Sequence, residues 1–370
     1  MSDPDSPAID SHSSASDSGK PRELQVNYLP RDPADYRPEI GLIGCGGITV
    51  EHLAAYRKAG YRVTALCDVN LAAARKRQAE FYPDAQLFED YQDLLRSDAI
   101  EVVDIATHTY IRPPIVRAAL EAGKHVLSQK PFVLDLDEGE RLVELANRLN
   151  LQLAVNQNGR WAPHFSYIRN AIQQGLLGEL FVAHCSVHWD HGWIRGLEFE
   201  NIDDLILYDY AIHWFDFVCS IFGDRQAKSV FSTRSRAAGQ QVRPPLLGQS
   251  IVVIDDAQVS LVFDGSVPFL QQDETYVAGT AGTICSVGPE NSEQKLTIET
   301  AQGRFQPELV GRWFPDGFHG TMGELLCSIE ERRSCSINAA ENLKSLALCF
   351  AAVASSHRGT PVNVGSVRTL

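Results

Sequence analysis

Between residues 38 and 157 short apolar strands alternate with amphipathic helices, and this alternation constrains the fold more than any other feature of the chain. EIGLIG, YRVTALCD, EVVDIAT, HVLSQK and LQLAVNQ read as strands. The segments TVEHLAAYRKAG, NLAAARKRQAEF, IRPPIVRAALEAG and DLDEGERLVELANRLN between them read as helices, with Gly60 and Gly123 as stops and Asn70 as an N-cap. Strands joined by helices of this length pair in parallel through right-handed crossovers.

After Gly159 the pattern changes. One helix, HFSYIRNAIQQG, leads to ELFVAHCSVHWDH, which alternates like a strand. A strongly apolar helix, LILYDYAIHWFDFVCSIFG, comes next. AKSVFST, QSIVVIDDAQVSLVFD, ETYVAGTAGTICSV and KLTIETAQG then read as long strands with short connections, the pattern of an antiparallel sheet. Two helices close the chain. The expected fold class is α/β, with a parallel sheet over 38–157 and an α+β unit over 158–370 built on a large, mostly antiparallel open sheet. Residues 1–25, rich in Ser, Asp and Pro, are expected to be a disordered tail.

Composition narrows the function. With 370 residues, 44% of them hydrophobic, there is material for two cores. A formal charge of −14 and no block of Lys or Arg argue against nucleic acid as a partner. Eight scattered cysteines with no C-x-x-C suggest separate thiols in a reducing cytoplasm. The start of the chain lacks the basic and apolar regions of a secretory leader. The longest late apolar run, SLALCFAAVASS, is short of the ~20 residues that span a membrane. A cytoplasmic protein with a small-molecule ligand is expected.

The junction EIGLIGCGGITVEHL explains its own glycines. Gly44 permits a tight turn after the first strand. Gly46 and Gly47 let a pyrophosphate approach the backbone, beside Ile48 and Thr49 at the start of a helix whose dipole favours negative charge. Thr49 stands where a third glycine is usual. Asp68 ends the second strand, where an acid accepts both ribose hydroxyls and repels a 2′-phosphate. The expected cofactor is NAD rather than NADP, on a Rossmann sheet.

Two further segments carry chemistry. Lys130, in LSQKPFV, lies at the C-terminal edge of a predicted parallel strand, where ligands bind. In LYDYAIHWFDF, Asp209, His213 and Asp216 are spaced to share one helical face among apolar neighbours. A histidine there can exchange a proton near neutral pH, and an Asp one turn away can orient it. A buried structural His–Asp pair is the plain alternative. A metal site joining His184, His188 and Asp190 to Asp209 and His213 is a weaker one, and no metal is expected.

The glycine turn, EAGKHVLSQKP and DYAIHWFD occur in the order and spacing of the Gfo/Idh/MocA oxidoreductases, which the chain resembles from about 38 to 223 and more loosely to its end. The resemblance implies a Rossmann domain and a second domain whose open sheet commonly forms the subunit interface, hence a homodimer or homotetramer. It implies a sugar or polyol site lined by Lys130, Asp209 and His213. Thr107 and Gln129 fall at cofactor-facing positions. Arg160 and Trp161, in NQNGRWAPH, are candidates to hold a polyol or to pin the domains together. Trp193, with Arg195 and His319, is a candidate to close the site. The sequence departs from the family pattern at Gln129 (family Glu), Ala211 (Gly), Thr107-His108-Thr109 (T-P-N) and Arg112 (a frequent His).

The activity expected is hydride transfer between NAD and a sugar, sugar derivative or cyclitol hydroxyl, with His213 as base, Lys130 steadying the alkoxide and Asp209 supporting both. Two other readings use the same residues: a redox-neutral sugar hydrolase or epimerase that retains NAD, and a non-enzymatic nucleotide or sugar sensor. Net NADH formation separates the first from the second. Retention of all three site residues argues against the third.

Overall fold

A computed structural model describes residues 24–370. The expected tail at 1–25 lies outside the described residues except for Leu24 and Gln25. Leu24 already packs, half-buried, against the core beside Val26 and Tyr28.

The first sheet is built from β1 (Glu39–Ile43), β2 (Arg62–Cys67), β3 (Gln86–Phe88), β4 (Ile100–Ile105), β5 (His125–Gln129) and β6 (Leu153–Asn156). All its pairings are parallel, in the order β3-β2-β1-β4-β5-β6. The helices α1 (Thr49–Ala59), α2 (Leu71–Phe81), α3 (Tyr91–Leu95), α4 (Arg112–Glu121) and α5 (Leu136–Leu149) connect them. Asn70 caps α2 through Ala72 N, and Gly60 and Gly123 turn the chain with φ of 76° and 75°. The short β3 and α3 escape sequence reading because three and five residues are too few to show a period. Strand order reverses between β1 and β4, so the crevice where such sheets bind ligands opens above Gly44.

The second sheet has nine strands. α6 (Pro163–Gln173) precedes β7 (Leu180–His188), and α7 (Ile212–Phe222) precedes β8 (Ser229–Ser235). Then come β9 (Leu247–Ile254), β10 (Ala257–Asp264), β11 (Gln272–Gly279), β12 (Gly282–Glu290), β13 (Glu293–Thr300) and β14 (Gly303–Phe305). α8 (Asp316–Glu330), α9 (Ala339–Arg358) and β15 (Val362–Asn363) end the chain. Only β7 and β10 pair in parallel; the other pairings are antiparallel. The two longest expected strands are each a hairpin. QSIVVIDDAQVSLVFD folds at Asp255-Asp256, where Asp256 takes φ 55°, and ETYVAGTAGTICSV folds at Thr280-Ala281.

The last third of the chain returns to the first sheet. Phe318, Met322, Leu325 and Leu326 of α8 share a core with Ile40, Leu42, Leu53 and Tyr56. Each such buried side chain contributes about 1.5–3 kcal/mol. α9 packs on α5 as well as on α7 and β8. Residues 158–370 therefore brace the parallel-sheet half as well as extending beyond it.

One face of the second sheet is covered by α7 and α9. The other carries Phe181, Phe231, Ile251, Val253 and Tyr276 partly or largely exposed, with Ile251 58% and Val253 49% accessible. Exposed apolar residues clustered on one sheet face are suited to association. We expect a second copy of the chain to cover it in an isologous pairing. Ile251→Asp combined with Val253→Lys should then give monomers in light scattering at micromolar concentration. A wild type that is monomeric in the same measurement would count against the pairing.

Candidate active site

At the glycine turn each residue has a distinct constraint. Gly44 has φ +91°, and a Cβ there would meet Ala106 backbone atoms at 2.9 Å, so the β1 and β4 ends can approach only through glycine. A Cβ at Gly46 or Gly47 would meet nothing within 4 Å, so their bare backbone faces open space. Ile48, partly exposed, precedes α1, whose first turn has no side-chain cap. Asp68 accepts from Cys45 N at 2.7 Å and Asn70 N at 2.8 Å, and each oxygen keeps a lone pair for a hydroxyl. An open cradle, an uncapped helix start and an acid beside them fit a dinucleotide.

Thr49 and Gln129 do not face the crevice as expected of cofactor contacts. Thr49 is buried; its hydroxyl donates to Gly46 O at 2.7 Å and accepts from Arg77 Nε at 3.2 Å. It braces the turn from behind. Gln129 is buried, with its amide committed to His52 and to the Lys130 main chain. Thr107, at the β4 edge, keeps a buried hydroxyl with no partner among the described residues.

Lys130 and Asp209, far apart in sequence, meet. Lys130 Nζ donates to Asp209 O at 2.9 Å and Oδ1 at 3.2 Å, and the two side chains are only 16% and 20% exposed. His213 opens α7 nearby. Its Nδ1 is buried with no partner among the described residues, and Trp313 lies edge-on at 5.2 Å. Burial first, and then the charge of Lys130, holds His213 well below the ordinary imidazole value near 6.5. The ring is neutral at pH 7.

Neither Asp209 nor Asp216 bonds His213 among the described residues. The segment Ile206–Tyr210 is a π-helical turn, and Ala211 N donates to Ile206 O, five residues back. Asp209 lies in this turn with its carboxylate on Lys130. Asp216 enters a buried bidentate pair with Arg160 (Nε–Oδ2 2.6 Å, Nη2–Oδ1 2.8 Å), and also accepts from Ser345 Oγ at 3.0 Å. The neutral His213 is thus oriented by packing rather than by a carboxylate.

Arg160 is consumed by that pair and by Ser336 O, so it pins elements together and offers nothing to a polyol. Trp161 packs against Gly320, whose Cβ position its ring atoms fill, and is likewise structural. His319 bonds Asp32 at 2.8 Å instead of closing the site. Trp193 is 54% exposed and donates Nε1–H to His191 Nδ1 at 3.2 Å. His184 and His188 sit on the outer sheet face with Ser260 and Asp264 as partners, so they do not converge with Asp209 and His213.

Sequence reading missed His191. It is buried, and Asp209 and Lys130 act on it with opposite sign; burial dominates and pushes it down to about 4. Because Trp193 Nε1 can only donate, the neutral His191 must carry its proton on Nε2. Its one sequence cue was position, just after β7 and two residues before an aromatic.

Comparison with known proteins shows the family and the fold. Residues 39–157 match the model described as oxidoreductase family, NAD-binding Rossmann fold, and residues 165–285 match the Gfo/Idh/MocA C-terminal domain. The chain belongs to the Gfo/Idh/MocA oxidoreductase family. Among Gfo/Idh/MocA relatives, a D-apiose dehydrogenase of Paraburkholderia graminis is 27% identical over 349 residues, 88% of this chain and 89% of that protein. An inositol 2-dehydrogenase of Corynebacterium glutamicum is 27% identical over 219 residues, 56% of this chain and 61% of that protein. In fold, the scyllo-inositol dehydrogenase from Lactobacillus casei superposes with a TM-score of 0.75 at 20% identity, over 90% of this chain and 100% of that one. An Agrobacterium radiobacter oxidoreductase gives 0.79 at 20% identity, over 90% and 99%. The chain is an NAD-binding oxidoreductase.

Removing one partner of the Arg160–Asp216 pair leaves an uncompensated buried charge. Asp216→Ala should cost about 3–5 kcal/mol in urea unfolding. A loss below about 1 kcal/mol would show that α7 does not depend on the pair.

Proposed function

We propose that this protein oxidises a secondary hydroxyl of a sugar, sugar derivative or cyclitol, with His213, Lys130 and Asp209 as the catalytic set. The observation that carries this reading is the Lys130–Asp209 pairing beside neutral His213, at the sheet edge above the glycine turn. The relatives that bear sugar and inositol dehydrogenase names support the substrate class.

Gly46, Gly47 and the start of α1 would hold the pyrophosphate of NAD, Asp68 the adenosine ribose, and Thr107 the crevice wall near the nicotinamide half. NAD supplies the acceptor for the hydride, two electrons and one hydrogen, that leaves the substrate carbon. His213 Nε2 takes the hydroxyl proton. Lys130 Nζ donates to the same oxygen as negative charge develops on it. Asp209 aims Lys130 through its main-chain and carboxylate oxygens. His191, with its proton on Nε2, offers a donor for a neighbouring hydroxyl, and Trp193 fixes that tautomer. The carbinol becomes a carbonyl, and the proton leaves His213 to solvent.

The test is NADH appearance at 340 nm with scyllo-inositol, myo-inositol, D-apiose and levoglucosan. Substrate conversion without NADH would favour the redox-neutral alternative. Because His213 is held below its ordinary value, its basic form persists as pH falls through 6.5, so the acid limb of the rate profile should lie below that. His213→Ala should lower turnover by roughly 10²–10⁴ and abolish that limb. Near-wild-type turnover in that variant would remove His213 from the mechanism.

Asp68 should make NAD bind more tightly than NADP. Asp68→Ser with Val69→Arg should reverse the order, and stronger NADP binding by the wild type in titration calorimetry would refute the assignment.

A further inference from the structure

Two departures from the family pattern, Gln129 and Arg112, converge on Lys130. The Lys130 main-chain N–H donates to Gln129 Oε1 at 2.7 Å. The carbonyls on either side of that residue, Gln129 O and Pro131 O, both accept from Arg112 Nη1. Arg112 is anchored in turn on Thr107 O, through Nη2 and through Nε at 3.1 Å. Its guanidinium is buried with no carboxylate partner among the described residues, and burial pulls its pKa down to about 10. A cation kept under those conditions serves the backbone carbonyls it binds.

Donor logic fixes the other half. A peptide N–H can only donate, so the Gln129 atom facing Lys130 N is the amide oxygen. The amide nitrogen then lies 3.0 Å from His52 Nε2, and it too can only donate. His52 Nε2 is therefore an acceptor, with Asn156 Nδ2 as a second donor at 3.4 Å. The ring proton sits on Nδ1 and is donated to Asp104 Oδ2 at 2.7 Å, an oxygen that also accepts from Tyr56 OH at 2.7 Å. From Asp104 to the Lys130 amide every donor meets an acceptor. A carboxylate at position 129 would set acceptor against acceptor unless His52 took a second proton.

We propose that Arg112 and the Asp104–His52–Gln129 chain are positioning residues that clamp the Lys130 main chain from both sides, and that Gln129 and His52 form one matched pair. This rests on reading Lys130 as the residue that meets the reacting oxygen, so the tests are split.

The first tests need no substrate. In ¹⁵N NMR of the full chain, His52 should be neutral with its proton on Nδ1, and in Gln129→Glu it should be an imidazolium at neutral pH. A folded Gln129→Glu whose His52 stays neutral overturns the pairing. Amide exchange at Lys130 should speed up at least about tenfold in Arg112→Lys and in Gln129→Leu, while exchange in β2 stays unchanged. Unchanged exchange at Lys130 overturns the clamp.

The second test is kinetic, with NAD and whichever of the four polyols the wild type turns over. Arg112→Lys should lower kcat roughly 10–100-fold, the scale of a 1 Å misplacement, with KM for NAD within about twofold. In Arg112→Ala, added guanidinium should restore part of the loss. Full turnover in folded Arg112→Lys also overturns the clamp. A wild type inactive on all four polyols would fail the proposed function, while the NMR and exchange results would still decide the clamp.

Discussion

The buried pair between Arg160 and Asp216 sets the geometry on which the site depends. Arg160 lies in the turn after β6, at the end of the first sheet, and Asp216 lies in the middle of α7. Taking both charges out of water is expensive, and the attraction repays it only where the geometry is good and every remaining donor finds an acceptor. Here the fork is bidentate, Ser345 and Ser336 complete it, and Arg169 Nη1 holds the Arg160 carbonyl at 3.1 Å. Such a pair selects one arrangement more than it adds stability. The arrangement it selects places the first turn of α7, and with it His213, against the edge where β5 delivers Lys130.

Around that frame the electrostatics divide the titratable groups by environment. His213 and His191 are both kept neutral, chiefly by burial, close to a lysine that stays paired with Asp209. In the reaction proposed above, His213 takes the proton, and His191, its tautomer fixed by Trp193, gives a hydrogen bond. Asp209 lies in the π-helical turn Ile206–Tyr210, immediately before α7, and meets Lys130 through both its main-chain and its carboxylate oxygen.

Much of the first sheet was legible because parallel strands buried on both faces read as continuous apolar runs and their helices announce their ends. Gly44, Gly46, Gly47 and Asp68 could be read for the same reason: local backbone needs dictate glycine, and the acid follows at a fixed distance along one βαβ unit. Lys130, Asp209 and His213 were found by motif, and the structure brings them together. In sequence, Thr49 and Gln129 look like cofactor contacts, and Arg160 and Trp161 are equally suited to holding a polyol or pinning the domains, because polar and aromatic residues beside a crevice look alike. Whether such a side chain faces the crevice or the interior depends on partners such as Asp216, Gly320, Arg77 and His52, from 28 to 159 residues away in the chain.

What the sequence by itself determined was everything governed by local periodicity and backbone freedom: the parallel sheet, its switch point, the glycine cradle and the class of cofactor. The tertiary structure decided which way each polar side chain turns. It made Asp209 the partner of Lys130, gave Asp216 to Arg160, and joined Gln129 and Arg112 around one lysine. Those choices follow from the requirement that buried donors and acceptors be paired, and that requirement is met between residues that no local pattern connects.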